Sequence, residues 1–555
     1  MGSSSAKPHA AAPNTPLGNL PQDGLRGLSE NWKTDLVSGL LVSLIALPLC
    51  LGIAMASGFP AFGGVVTAIV GGVIVGPLSG SRLTIKGPAA GLIAIVIASV
   101  ETLGQGDMGA GYRYTLAVIV AASVIQVVFA VCKLGRFADF FPASVVHGML
   151  AAIGIIILSK QVHPLLGVKP TAREPIPLLF EMPHSLVVMN PEVALVGVVS
   201  IAIVIFAASV LGRLARFFPG PLIAVAAGIG LCLYFDFKNA HTYSWYSQNY
   251  TVDQRYLVSL PASFFDGVTL PDFSKLFSAE SLQFLALFAL IGSLESLLTC
   301  KAIDGLDPYQ RKSNMDRDLG AVGIGNFISG MCGGLPMIAE VVRSSANISY
   351  GAKTRWANFF HGTCLLLFVV LLAPVIQLIP NAVLAGVLCV VGYRLASPRH
   401  FRECKEIGRE QLLVFVITIV ATLLTDLLMG VAIGMASEYV ISAMLGAPVH
   451  SLFSSVPAAV AGADGRHRLV LPEACIFGNV VGFKRRLAEL KGKPATLDFS
   501  GAAYVDHTFM HEVYAAEREH DLQIVGLDRL TPLSLHREAA RRTEPRKSAL
   551  LTTVC

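Results

Sequence analysis

The chain has 555 residues, 54% hydrophobic and only 14% charged, with a formal net charge of +5. Soluble domains carry about 25% charged residues, so the composition excludes an ordinary soluble enzyme. The small net charge leaves no basic footprint for nucleic acid. Ten cysteines, six of them inside apolar runs (Cys50, Cys132, Cys232, Cys300, Cys364, Cys389) and with no CxxC pair, fit neither a disulfide framework nor a zinc site. No metal or cofactor is expected.

Residues 1–33 form a polar segment, rich in Pro, Ala and Ser, with no apolar core of a signal peptide, so an uncleaved, cytoplasmic amino terminus is expected. Over 34–446 apolar runs recur at lengths near the roughly 20 residues a helix needs to cross a bilayer. Spans are read near 36–57, 61–78, 88–102, 112–132, 142–161, 191–211 and 219–235, and again near 281–300, 318–333, 340–351, 357–378, 381–394, 411–425 and 427–445. That is fourteen, in repeats of about 34–235 and 281–446. Lys133, Arg136, Arg213, Arg216, Arg311, Lys312, Arg317, Arg399, Arg402 and Lys405 fall on one side of such a topology. The opposite loops are longer yet hold only Arg113, Lys169, Arg173, Lys238, Arg255 and Lys275. Cytoplasmic loops retain basic residues, so an even number of spans with both termini inside is expected. After a linker at 447–465, alternating strand and helix patterns over 466–530 read as a small soluble α/β unit, and 531–555 as a disordered tail.

Two spans are too short or too polar to cross alone. "SGSRLTIKGPAAG" precedes one and "CGGLPMIAEVVRSS" leads into the other, each third in its group of seven. Paired Gly/Pro-interrupted spans at matching positions mark a transporter's binding site. A helix that begins inside the membrane presents unpaired N–H groups and the positive end of its dipole, and two such starts facing each other suit an anion. Pro88 is expected in the first turn of one helix. Arg343, one turn into the other, adds a full positive charge. Glu295 and Thr299 share a face of the span "LIGSLESLLTCK", and an intramembrane carboxylate needs a cavity or a partner, for which Arg343 is the natural candidate. Glu340 would lie about a turn from Arg343, and exposure at the cytoplasmic or loop side is an equal reading. The histidines, His361 among them, lack ligand spacing and read as interfacial or satisfied.

These motifs resemble the sulfate permease (SulP) family of inorganic anion transporters, the bacterial relatives of solute carrier family 26. "GLLVSLIALPLCLGIAMASGFP" resembles the family's first span, "IKGPAAGLIA" its third, "SLESLLT" its eighth and "VVRSSANISYGAKTRWANFFHG" its tenth, while "ATLDFSGAAYVDHT" resembles the core of a STAS domain. The resemblance implies a transporter, not an enzyme, built of two inverted seven-span repeats with a core domain rocking against a gate domain, as a homodimer in a bacterial cell (inner) membrane. It implies an anion cradle of Gly87, Pro88, Ala89, Val342, Arg343 and Ser344, with coupling through Glu295, Thr299 and Glu340. A cytoplasmic regulator or carbonic anhydrase acting through the STAS-like unit, and phosphorylation at Thr508, are further implications. Pro48-Leu49 matches the sodium-coupled bicarbonate members, yet those carry small residues at the Arg343 position and a Thr where Val341 stands. A guanidinium 4 Å from Na⁺ would repel it by about 4 kcal/mol at an effective dielectric of 20. Bicarbonate, sulfate and other small oxyanions stay open, as does a proton-coupled nucleobase carrier of the same architecture using Glu295 and Glu340.

Overall fold

In the computed structural model, residues 20–543 are described except 136–139, 173, 213–217, 246–247, 262–264, 426, 463–464 and 491. Arg136, Arg173, Arg213 and Arg216, counted above in loops, lie outside the described residues, as does 544–555 of the expected tail. The helices in chain order are α1 (Gly24–Ala56), α2 (Ala61–Val70), α3 (Gly76–Leu78), α4 (Ile93–Gly104), α5 (Met108–Val131), α6 (Ala143–Leu165), α7 (Pro175–Val187), α8 (Pro191–Leu211) and α9 (Gly220–Tyr234). Then follow α10 (Ala279–Leu306), α11 (Met315–Met331), α12 (Val341–Ser349), α13 (Trp356–Ile376), α14 (Asn381–Leu395), α15 (Pro398–Ile407), α16 (Arg409–Leu424) and α17 (Leu427–Met444). Seven stretches among the described residues are long and apolar enough to cross a membrane: α1, Ala61–Leu78, α5, α6, α10, α13 and Asn381–Ile407. Helices α7 and α8 would pass together but meet at 117°.

The strands that matter for function are β1 (Ile85–Pro88) and β4 (Met337–Glu340); β2 (His241–Trp245) and β3 (Gln248–Val252) form a separate hairpin in the polar loop after α9. β1 and β4 pair antiparallel, Ile85 opposite Glu340 and Pro88 opposite Met337. Pro88 is therefore the last residue of a strand and not part of a helix's first turn. The helix there begins as a 3-10 turn at Ala90–Leu92 that runs into α4. Proline suits this strand end because the pairing needs no N–H from it.

The chain divides into two compact units. One comprises residues 1–135, 159–173 and 180–390 and contains the whole β1–β4 ribbon. Packing against that ribbon is close: a π-helical turn, Gly71–Val75, lies between α2 and α3, and a Cβ at Gly71 would come within 2.7 Å of the Lys86 carbonyl.

The other unit comprises 136–158, 174–179 and 391–555. Its carboxy-terminal part has β5 (Val460–Ala461), β6 (His467–Val470), β7 (Ala474–Cys475), α18 (Phe477–Glu489), β8 (Ala495–Asp498), β9 (Tyr504–Val505), α19 (His507–Glu519), β10 (Leu522–Val525), β11 (Thr531–Pro532) and β12 (Arg541–Arg542). β8 pairs in parallel with β6 and β10, and β5 adds an antiparallel edge. Leu469, Leu497, Phe483, Phe509 and Val513 fill the core. Asp506 caps α19 by accepting from the Phe509 N–H at 2.6 Å, and also accepts from the Phe477 N–H at 2.5 Å; burial pushes its carboxyl up to about 7. The folded part exceeds the expected 466–530 at both ends. Val460–Ala461 and Val456, in the expected linker, join a sheet and the core, and Arg541–Arg542, in the expected tail, pair with β9. Backbone pairing makes these contacts, so the polar side chains of 541–542 gave no periodic signal.

Candidate functional site: a clamped ribbon between two helix starts

A two-stranded ribbon leaves outward-facing backbone groups that neither helix nor strand can satisfy, and in an apolar surrounding each must find a partner. Here side chains supply them. The Ile85 N–H donates to Ser344 Oγ at 2.8 Å and the Lys86 N–H to Asn358 Oδ1 at 3.3 Å. On the other strand, the Ala339 N–H donates to Ser296 Oγ at 3.1 Å and the Met337 N–H to Asn326 Oδ1 at 2.6 Å. Asn326 Nδ2 donates in turn to Gln126 Oε1, and both Thr67 and Ser329 hydroxyls donate to the Leu335 carbonyl. Residues on α2, α5, α10, α11, α12 and α13 thus clamp one short ribbon.

Below the ribbon lies a fully buried ion pair that sequence reasoning missed. Lys86 Nζ reaches Asp318 Oδ2 at 2.6 Å, with both side chains wholly out of solvent. Asp318 also accepts from Ser79 Oγ, the Ser81 N–H and Cys300 Sγ. Removing one member of such a pair typically costs about 3–5 kcal/mol, because the other is left charged and unpaired. The signal was a lysine in "LTIKGP", inside a stretch read only for its glycines.

The ribbon hands the chain to two helices whose first turns carry no side-chain cap: the 3-10 turn at Ala90 and α12, which Glu340 precedes. Four charged or potentially charged groups gather here. Arg343 is 0% exposed; its Nη1 donates to Cys50 Sγ at 3.4 Å, while Nε and Nη2 have no partner. Cys50 lies two residues beyond Pro48, which interrupts the hydrogen bonding of α1. Glu340 faces the Ala90 N–H and is within electrostatic reach of Arg343, and its Oε1 has no partner. Glu295, buried on α10, has an unpartnered Oε2 and feels the charge of Glu340. His361, on α13, is wholly buried beside Arg343 with neither ring nitrogen bonded.

Two glycines set the spacing. A Cβ at Gly87 would stand 2.3 Å from Arg343 Nη1, and one at Gly91 would stand 2.0 Å from Glu295 Oε1. A side chain at either position would push the end of the arginine or the glutamate away from the backbone.

Of the residues read from sequence, the structure gathers Gly87, Arg343, Glu340 and Glu295. Ala89 donates its N–H to the Pro336 carbonyl, so its amide is engaged in the ribbon. Ser344 is occupied with the Ile85 N–H. Val342 is 46% exposed and stands apart from the buried charges. Thr299 is buried one turn further along α10. Arg343 and Glu295 do not form the expected ion pair: Glu340 is the charged neighbour of both. The reason is geometric, since Glu340 stands at the junction of the strand and α12, within electrostatic reach of both Arg343 and Glu295. Gly91, Cys50, Asn326 and His361 were not singled out as site residues, because each acts through a neighbour distant in the chain.

The model of the sulfate permease family matches residues 32–418. A Bacillus subtilis (strain 168) protein named "Putative sulfate transporter YvdB" is 27% identical over 415 residues, covering 74% of this chain and 73% of the relative. The bicarbonate transporter BicA of Picosynechococcus is 26% identical over 474 residues, covering 85% and 78%. The solved transmembrane domain of a cyanobacterial BicA superposes with a TM-score of 0.62 at 25% identity, over 72% of this chain and 97% of that one.

Proposed function

The chain belongs to the sulfate permease family, and from that premise we propose that this integral membrane protein carries small inorganic oxyanions, bicarbonate or sulfate first among them, by alternating access. One observation carries the reading: a wholly buried guanidinium, Arg343, with two nitrogens unpartnered, at the uncapped start of α12. An unpaired buried charge is costly, and an oxyanion supplies both the countercharge and the missing acceptors. Gly87 lets that guanidinium lie against the backbone, and the positive dipole end of the opposite helix start adds a favourable field.

The charge balance adds a coupling ion. If Glu340 and Glu295 were both ionised beside Arg343, the site would be net negative. An incoming anion 4 Å from a carboxylate would meet about 4 kcal/mol of repulsion at an effective dielectric of 20. A proton on Glu295 removes that repulsion, so the anion travels with a proton, and Na⁺ is disfavoured by Arg343. Fourteen spans in two inverted repeats, a homodimer, cytoplasmic termini in a bacterial inner membrane, and a regulatory STAS-like unit with a partner such as a carbonic anhydrase complete the reading. The test is uptake of labelled sulfate, bicarbonate and uracil into proteoliposomes. Uptake of uracil alone would replace this reading with a nucleobase carrier.

A further inference from the structure

Among buried polar groups of the unit that holds the ribbon, His361 stands out. Its side chain is 0% exposed, and neither Nδ1 nor Nε2 has a hydrogen-bond partner. A buried imidazole left unbonded forfeits the hydrogen bonds it had in water, so its place in an apolar helix needs a reason. Packing alone gives none, since an apolar side chain of similar size would fill the same volume without that cost.

The surroundings supply one. His361 lies one helical turn beyond Asn358, the residue that accepts from the Lys86 N–H next to Gly87. α13 is held against its neighbours at this level by close backbone approach. A Cβ at Gly39 of α1 would stand 2.8 Å from the His361 N, and one at Gly72 would stand 2.5 Å from the Gly362 Cα. The ring therefore sits on a rigid element, near enough to Arg343 to feel its charge. Arg343 has two unpartnered nitrogens of its own. Two buried groups with unmet hydrogen-bonding capacity, on different helices and within electrostatic reach of each other, can be satisfied together by one small oxyanion. A neutral imidazole has one N–H to donate, so it binds an anion without adding a fixed charge.

We propose that His361 is a direct ligand of the transported oxyanion, donating a ring N–H opposite Arg343. This rests on the anion-transport reading above and extends the site to α13, which the two helix starts do not include. As a donor on a second wall, His361 contributes to affinity and to which oxyanion fits.

The full-length protein in proteoliposomes and in detergent tests this with His361→Leu, His361→Gln and, as a control on the parent reading, Arg343→Ala. Flux is measured against sulfate and bicarbonate concentration, and the unfolding temperature with and without each anion. His361→Leu is expected to raise KM about ten-fold or more and to abolish the anion-dependent rise in Tm, without lowering the anion-free Tm. His361→Gln, which keeps an N–H donor, should restore much of the affinity. If Arg343→Ala abolishes the anion response while His361→Leu leaves it intact, the ligand role of His361 is wrong and the transport site stands. If Arg343→Ala also leaves it intact, the site reading itself fails. A His361→Leu protein that does not fold counts against the proposal too, because it would make the imidazole a structural group.

Discussion

Arg343→Ala is the most informative single change, because the anion-dependent part of stability can be read separately from the anion-free part. The guanidinium is wholly buried, with one sulfur contact and two unpartnered nitrogens. If both nitrogens bond the anion, at about 1.5–3 kcal/mol for each charge-assisted bond, the loss is about 3–6 kcal/mol. That corresponds to roughly a 10²- to 10⁴-fold rise in Kd. An anion at about 100 times the wild-type Kd stabilises the protein by about 2.7 kcal/mol. With Kd raised about 100-fold, the same concentration stabilises the variant by only about 0.4 kcal/mol. The anion-free variant sheds a buried charge but leaves Glu340 without its charged neighbour, so its own unfolding temperature is the baseline from which its anion response is read. Arg343→Lys should restore binding only in part, since a point charge replaces a planar fork. Thermal unfolding with sulfate and bicarbonate titrations measures both effects. An Arg343→Ala protein that is destabilised without anion yet keeps its full anion response would refute the argument and make the arginine structural.

Glu295→Gln is expected to uncouple sulfate uptake from pH while the protein still folds and binds anion, and wild-type uptake should need little sodium; a steep sodium requirement abolished by Thr299→Ala would make these two residues sodium ligands. Gly91→Ala, whose Cβ would lie 2.0 Å from Glu295 Oε1, should impair uptake severely, whereas Gly230→Ala, with nothing within 4 Å, should leave it unchanged; equal effects would remove the Gly91–Glu295 packing from the mechanism. Asp506 sits near 7 in the folded protein against an ordinary 3.8, so its contribution to stability is complete below the lower value and is lost as pH rises through the upper one. Hydrogen exchange across α18 and α19 should therefore quicken as pH rises through about 7, beyond the intrinsic pH dependence of exchange. Asp506→Asn should remove that excess, and an excess unchanged in the variant would assign it to another group.

The sequence alone determined the membrane character, because apolar runs of bilayer length and uneven loop charges report solvent preference directly. It also located the break that precedes α4 and the one that precedes α12, since glycine and proline interrupt a helix through their own backbone chemistry. Arg343 and Glu295 stood out for the same local reason: a charge in an apolar run is conspicuous wherever it lies. What the sequence could not carry was pairing across hundreds of residues. That Pro88 ends a strand opposite Met337 is a fact about register, and no local propensity encodes a partner about 250 residues away. Lys86 meets Asp318, and Asn358 meets the Lys86 N–H, because the ribbon's unsatisfied backbone and buried amine had to be answered by whichever helices enclosed them. Glu340 reads from sequence equally as an exposed group, and only the tertiary structure brings it within electrostatic reach of both Arg343 and Glu295. His361 is silent in sequence, because a histidine's role depends on whether its ring finds a partner, and burial without one is a property of the tertiary structure.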